Sequence, residues 1–337
     1  MDDVARQVAA GDRTLRVHAA VPLGEEHLAR IREAVPGMRL TYSPRTPYER
    51  PGGLDEEMAE IEVLLSYHAP FEMTAAPRLR WLQVGGDGVD HLRGAPVMRS
   101  DVIVTNTRVF ETPMAEYVVA SVLAYYRDFP RMWERFQRGR AWPTSQWAEY
   151  AGDEAAGKTM AIIGYGSVGR KLARLARALE MTVIATRRSL AAPAVEDGVE
   201  VHPAAALRAV LARADVVVVC LPLTEETEGL IGETELRAMK PSAYLVNVGR
   251  GKVIQEAALV RALRDEWIGG AGLDVHARTP LPPDSPLFDL PNVILTPHMS
   301  GVTQPYYGRL TGLFCENLRR YLAGVPLLNI VDKQRGY

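Results

Sequence analysis

Residues 158–179 read KTMAIIGYGSVGRKLARLARAL: an apolar run, then Gly164, Gly166 and Gly169 in G-x-G-x-x-G spacing, then an amphipathic stretch. Glycines match this spacing by chance, and it is the place between a strand and a helix that gives the motif meaning. The first glycine permits a tight turn, the second lets backbone approach a pyrophosphate, and the third allows close helix–strand packing. The N-terminus of the helix offers free N–H groups and the positive end of a dipole to phosphates. Tyr165, Ser167 and Val168 therefore join the three glycines as candidate dinucleotide-binding positions.

Working outward, apolar runs alternate with amphipathic stretches on both sides. MTVIATRRS, ADVVVVCLPL, SAYLVNVGRG, GGAGLDV and NVILTPH follow the glycine turn and read as strands ending in polar or glycine-containing loops. VVVVC is apolar on both faces, as a central parallel strand covered by helices should be. Upstream, residues 15–21, 38–42, 62–66, 79–84 and 101–106 read as strands, and 25–35 as a helix. A single long helix is expected over 113–136, a loop or arm over 140–157, and a final helix ending near Gly324. The alternation implies an α/β protein with parallel sheets.

Composition narrows the function. Of 337 residues, 47% are hydrophobic and 24% charged, and the formal net charge is −2. These proportions suit a soluble chain of about two domains and give no reason to expect nucleic acid or an anionic membrane as partner. No apolar run is long enough to span a bilayer, and the first residues lack a signal-peptide core. The two cysteines, Cys220 and Cys315, have no partner motif and fit a reducing cytoplasm. No cluster has metal-ligand spacing.

In a nucleotide site of this kind the strand after the glycine turn usually ends in an acid that binds the ribose 2′-hydroxyl. Here it ends in Thr186, Arg187 and Arg188. Guanidinium groups bind a 2′-phosphate through paired, charge-assisted hydrogen bonds, whereas a carboxylate would repel it. The expected cofactor is NADPH, with NADH as the weaker partner.

Three further strand ends carry Arg250, Asp274 and His298. In a doubly wound sheet such ends converge on one crevice. An arginine and a histidine facing a nicotinamide suit hydride transfer to a 2-keto acid. Arg250 would hold the carboxylate and polarise the carbonyl, and His298 would donate the proton. A surface ion pair or a packed histidine is the plain alternative for each taken alone.

At this point the chain resembles the D-2-hydroxyacid dehydrogenases, which include glyoxylate/hydroxypyruvate reductases. GDGVDHL, MAEYVVA, IIGYGSVGR, CLPLTEETEGLI, LVNVGRGKVIQEAALVRAL, AGLDV, TPLPPDSPLF and NVILTPHMSG occur in the family's order between about Leu82 and Leu328. The resemblance implies a Rossmann-type nucleotide domain, 108–299, inserted into a smaller flavodoxin-like substrate domain, 1–107 and 300–337. It also implies a homodimer, a D product, and roles for particular residues. Arg250 matches the substrate-binding arginine and His298 the acid/base histidine. Asp274 matches the residue that binds the nicotinamide carboxamide. Leu221, Pro222, Thr227, Val248 and Gly249 fall in segments lining the cofactor. The backbone of Gly86, Asp87 and Gly88 matches the loop that cradles the substrate carboxylate. The family position of Asp87 is small or apolar, so its carboxylate must aim elsewhere. Tyr67 and His68 are candidates for the pocket wall or packed loop residues. Tyr306 and Tyr307 suggest either an aromatic wall, and so a larger acid, or helix packing. Trp142 and Trp147 on the arm are candidates for contact with a neighbouring active site.

One position departs from the pattern. The family glutamate that pairs with the histidine, five residues after the GLDV aspartate, is Thr279 here. Glu266, read as lying on the preceding helix, and Asp284 do not sit where the motif places the acid. A threonine can orient an imidazole but lends it no charge. Two readings follow: a working reductase whose pH–rate profile falls off at lower pH than is usual in the family, or a member that binds nucleotide without useful turnover and serves as a ligand-binding module. A changed substrate is a variant of the first. His276 reads as a solvated or packed residue and not as a replacement.

Overall fold

The computed structural model describes residues 14–47, 58–70, 72–140, 142 and 151–337. Contacts divide the chain into two compact units, residues 1–110 with 303–337 and residues 111–302.

The first unit holds β1 (Arg16–Ala20), α1 (Glu25–Ala34), β2 (Arg39–Tyr42), β3 (Val63–Ser66), β4 (Trp81–Val84), β5 (Ile103–Thr105) and the last helix of the chain. The strands form one parallel sheet in the order β2-β1-β3-β4-β5, the flavodoxin-like order. The final helix, Tyr306–Ala323, buries Leu310, Phe314 and Leu318 in the same core as Leu28 and Ile31 of α1. It stops at Gly324, whose left-handed backbone is the usual helix C-terminus. Trp81 is fully buried in this core, and its indole N–H donates to the Thr105 hydroxyl at 2.7 Å.

The second unit is built on β6 (Thr159–Ile163), β7 (Thr182–Arg187), β8 (Ala194–Glu196), β9 (Val199–Pro203), β10 (Val216–Val219), β11 (Tyr244–Asn247), β12 (Gly270–Leu273) and β13 (Val293–Leu295). Their order is β13-β12-β11-β10-β6-β7-β9-β8, and all but β8 run parallel. Without β8 and β13 this is the doubly wound order of dinucleotide-binding folds. The valines of β10 show how the sheet is covered. Val217 and Val219 belong to one core cluster, and Val216 and Val218 to the other. Successive side chains point to opposite faces, so a strand apolar throughout must have a hydrophobic layer on each side.

Two local expectations are corrected, and one element was not expected. The helix expected over 113–136 ends at Tyr126; Asp128 turns left-handed (φ 49°), and a short helix runs Phe129–Trp133. A continuous helix would drive the ring of Pro130 into the carbonyl of Tyr126. Glu266 does not lie on a helix: the preceding helix ends at Arg264, and Glu266 takes a left-handed backbone. Residues 194–203 form a hairpin that periodicity does not reveal. Its two-residue turn, Asp197-Gly198, has positive φ at both positions (50° and 75°), as a type I′ turn requires.

Candidate active site

The glycine turn lies between β6 and the helix Ser167–Ala178. Gly164 has φ 106°, and a Cβ there would sit 2.9 Å from the Cys220 carbonyl oxygen at the end of β10. The loops after β6 and β10 thus touch at the point where strand order reverses, the place where such sheets bind ligands. A Cβ on Gly166 would meet nothing within 4 Å, so the backbone before the helix is open to an approaching group. The helix begins at Ser167 with Val168 and Gly169 in its first turn. Its first N–H groups have no intrahelical carbonyl. This cradle fits a dinucleotide pyrophosphate. Tyr165 is buried beneath it, with the Arg170 guanidinium 5.0 Å from its ring centre. The Thr186 carbonyl accepts from the N–H groups of Gly164 and Tyr165, which fixes the turn to the end of β7.

Both arginines after Thr186 meet carboxylates. Arg187 forks onto Glu196 of the hairpin, with Nη1 donating to Oε2 at 2.8 Å and Nη2 to Oε1. Arg188 donates to Glu226 at 2.6 Å. In the loop after β10, Leu221 and Pro222 are half-buried, and the Thr227 hydroxyl donates to the Pro222 carbonyl at 2.6 Å. Thr227 thereby closes the loop on itself.

The ends of β11, β12 and β13, neighbours in the sheet, carry the other polar residues. After β11, Asn247 clamps the chain: its Oδ1 accepts from Gly249 N–H, and its Nδ2 donates to the Arg250 carbonyl. Val248 is buried, and the Arg250 guanidinium, half-buried, donates to the Gly249 carbonyl at 2.8 Å. After β12, Asp274 is fully buried. One carboxylate oxygen accepts from the Thr296 hydroxyl (2.6 Å) and Met299 N–H (2.7 Å), the other from Ser300 N–H (2.8 Å). The Thr296 hydroxyl spends its hydrogen on Asp274, so Tyr117 donates to Thr296 at 2.7 Å. Burial raises the Tyr117 pKa. The turn so stapled carries His298 at its tip, left-handed (φ 58°), with N–H on the Asp274 carbonyl and side chain exposed. In this arrangement the Asp274 carboxylate is committed to holding the histidine turn.

Thr279 is exposed and joins Pro280 through a cis peptide bond. His276 is packed, with Nε2 donating to the Thr296 carbonyl at 3.1 Å. Glu266 and Asp284 are exposed.

In the first unit, the loop after β4 carries Gly86, Asp87 and Gly88. Asn106 Nδ2 donates to both the Asp87 carbonyl (2.6 Å) and its carboxylate (3.2 Å), and Arg108 Nε lies 3.8 Å from that carboxylate. Asp87 is thus directed at an amide and a guanidinium. Tyr306 donates to the Gly85 carbonyl at 2.7 Å, so Tyr67 donates to Tyr306 at 3.1 Å. Tyr306 is buried and stacks on Phe110, with ring centres 5.4 Å apart. It belongs to the packing of this unit. His68 contacts the Thr46 carbonyl at 3.3 Å. On the arm, Trp142 is exposed and packs edge-on against Phe136, while Trp147 lies outside the described residues. Among the described residues no group of His, Cys, Asp or Glu side chains is arranged to hold a metal ion, and no helix is long and apolar enough to cross a membrane.

Sequence reading missed Asn247, Thr296, Tyr117, Asn106 and Glu196. The last alone had a signal, the Asp-Gly turn that follows it.

Residues 119–300 match the D-isomer specific 2-hydroxyacid dehydrogenase NAD-binding domain. The chain is 36% identical over 267 residues to glyoxylate reductase of Pyrococcus furiosus, covering 77% of each chain. Two solved structures superimpose over 96% of it. One is a D-isomer specific 2-hydroxyacid dehydrogenase from Xanthobacter autotrophicus in complex with NADPH (TM-score 0.80, 33% identity, 99% of that chain). The other is an NADPH-dependent glyoxylate/hydroxypyruvate reductase from Sinorhizobium meliloti in complex with NADP (TM-score 0.81, 30% identity, 100% of that chain). The fold and site define a nicotinamide-nucleotide oxidoreductase. More specifically, the chain belongs to the D-isomer specific 2-hydroxyacid dehydrogenase family, and it is an enzyme of that family.

Proposed function

We propose that the protein reduces a small 2-keto acid, of the glyoxylate or hydroxypyruvate kind or bulkier, to a D-2-hydroxy acid, with NADPH preferred and NADH accepted. The observation that carries this reading is the stapled turn: a fully buried carboxylate and three donors hold a loop whose exposed tip is an imidazole. Bound NADPH supplies the hydride. Arg250 binds the substrate carboxylate and polarises the carbonyl, the backbone of Gly86, Asp87 and Gly88 cradles the carboxylate, and His298 gives the proton. Gly164, Gly166 and the start of the helix at Ser167 hold the pyrophosphate, while Arg187 and Arg188 receive the 2′-phosphate. Relatives named for glyoxylate reduction, and neighbours solved with NADPH or NADP, support the substrate class and the cofactor. We further propose a cytoplasmic homodimer that pairs through the nucleotide unit, with exposed Phe129, Trp133 and Phe136 at the contact; light scattering on the purified protein checks the dimer.

Thr279, in the family's glutamate position, favours the second reading of a nucleotide binder with lost turnover. NADPH consumption with glyoxylate, hydroxypyruvate and bulkier 2-keto acids separates the two. Under the reductase reading His298→Gln lowers kcat by about 100- to 10,000-fold while NADPH still binds. No turnover on any of these acids, with NADPH binding intact, would leave only the second reading.

A further inference from the structure

The guanidinium groups expected to receive a 2′-phosphate come with acids attached, and the two pairs differ in kind. Arg188 and Glu226 are 47% and 67% exposed, a solvated pair of small energetic weight. Arg187 and Glu196 are 23% and 30% exposed, and the two Nη groups meet the two carboxylate oxygens one to one. Paired contact of this geometry is the strong form of the interaction. The Arg187 Nε is buried without a partner, so the Nη fork is where a ligand would be bound. Glu196 is not on a loose loop. It pairs with Val199 across the β8–β9 hairpin, directly before the two-residue turn. Arg170 Nη1 stands 3.6 Å from the same carboxylate.

We propose that Glu196 limits the NADPH preference of this site by occupying Arg187 as an internal stand-in for the 2′-phosphate. The inference rests on the reading that this strand end receives the 2′-phosphate of NADPH. Binding then exchanges one anion for another on the Arg187 fork, and the affinity gained is the difference between them. A dianionic phosphate can displace the carboxylate, whereas the neutral ribose hydroxyl of NADH cannot compete for a charge-assisted fork. Arg170 keeps Glu196 paired after the exchange, so that its charge is not left unpaired beside the phosphate. Glu196 therefore restrains NADPH binding and leaves NADH binding untouched.

Fluorescence titration of NADPH and NADH into wild type, Glu196→Gln, Arg187→Ala and the double variant tests this. Glu196→Gln should tighten NADPH by about threefold to fivefold, the scale of one partly exposed ion pair, and move NADH by less than about twofold. In the Arg187→Ala background the same change should have no effect on either nucleotide. Thermal unfolding of each variant confirms that it is folded, and Glu196→Ala provides a second probe of the same contact. Unchanged or weaker NADPH binding in Glu196→Gln, with Arg187→Ala still weakening NADPH, overturns the inference alone. If wild type binds both nucleotides equally and Arg187→Ala is silent, the NADPH reading itself falls and takes the inference with it.

Discussion

Asp274 carries a structural role beside the cofactor contact that the family pattern implies. GLDV marked it as a polar strand end, and the family pattern as a contact to the cofactor. In the structure its carboxylate is buried and accepts three hydrogen bonds from the turn that bears His298. Asparagine would keep the shape but turn an N–H₂ toward a donor. Asp274→Asn should therefore destabilise the protein by about 1–3 kcal/mol, read from urea unfolding. It should also lower kcat by about 100-fold, the scale of a catalytic group displaced by an ångström, with nucleotide affinity changed much less. Loss of NADPH affinity with kcat preserved would show that the carboxylate serves the cofactor instead. Thr279, exposed in the structure, is the complementary case. A carboxylate within reach of an imidazole favours its charged form. Thr279→Glu should accordingly carry the alkaline limb of the kcat/KM profile for keto-acid reduction to higher pH. An unmoved limb would mean that another group already pairs with the histidine.

At the level of elements, position depends on polar ties between strand entrances as much as on apolar layers. Asp215 lies at the start of β10, where its carboxylate accepts from Thr159 N–H of β6 and from Lys240, both at 2.8 Å. Its backbone carbonyl accepts from Tyr244 N–H of β11. Burial alone would raise the pKa of Asp215, but the Lys240 and Thr159 hydrogen bonds outweigh it and hold the carboxyl below its ordinary value of 3.8. A depressed acid contributes stability that is present above the unfolded-state value and is lost as pH falls through the folded one. Lys240→Met should thus cost about 1 kcal/mol near neutrality, because the pair is partly exposed, and the gap from wild type should close below about pH 4 in urea titrations. A gap that persists at low pH would assign the loss to packing. Elements also show where periodicity misleads. Apolar spacing continues through 113–136, yet the clash of Pro130 with the preceding turn divides the segment. A three-residue strand such as β8 is too short for any period to register.

For the whole molecule, the expected consequence is linkage between nucleotide and fold. A ligand that binds only the native state at 100 times its Kd adds about 2.7 kcal/mol. For a chain of this size unfolding as one unit that is roughly 4 °C in Tm. NADPH should raise Tm more than NADH at equal concentration in a thermal scan, and equal shifts would count against the arginine pair as a phosphate site. Much of this architecture was legible beforehand, because parallel sheets covered on both faces demand uniformly apolar strands, and VVVVC or AIIG cannot be satisfied otherwise. The glycine turn was legible for a similar reason: its φ of 106° and its approach to Cys220 allow no side chain. By itself, then, the sequence determined the strands of the two α/β units apart from the β8–β9 hairpin, the nucleotide turn, and Arg250, Asp274 and His298 at strand ends. Only the tertiary structure decided that Asp274 staples the histidine turn, that Asn106 takes up the charge of Asp87, and that Glu196 fills the fork of Arg187. Those are contacts between residues 9 to 26 positions apart. Periodicity reports which face a residue takes; which hydrogen-bond partner it meets depends on how strands are ordered and where a turn returns the chain.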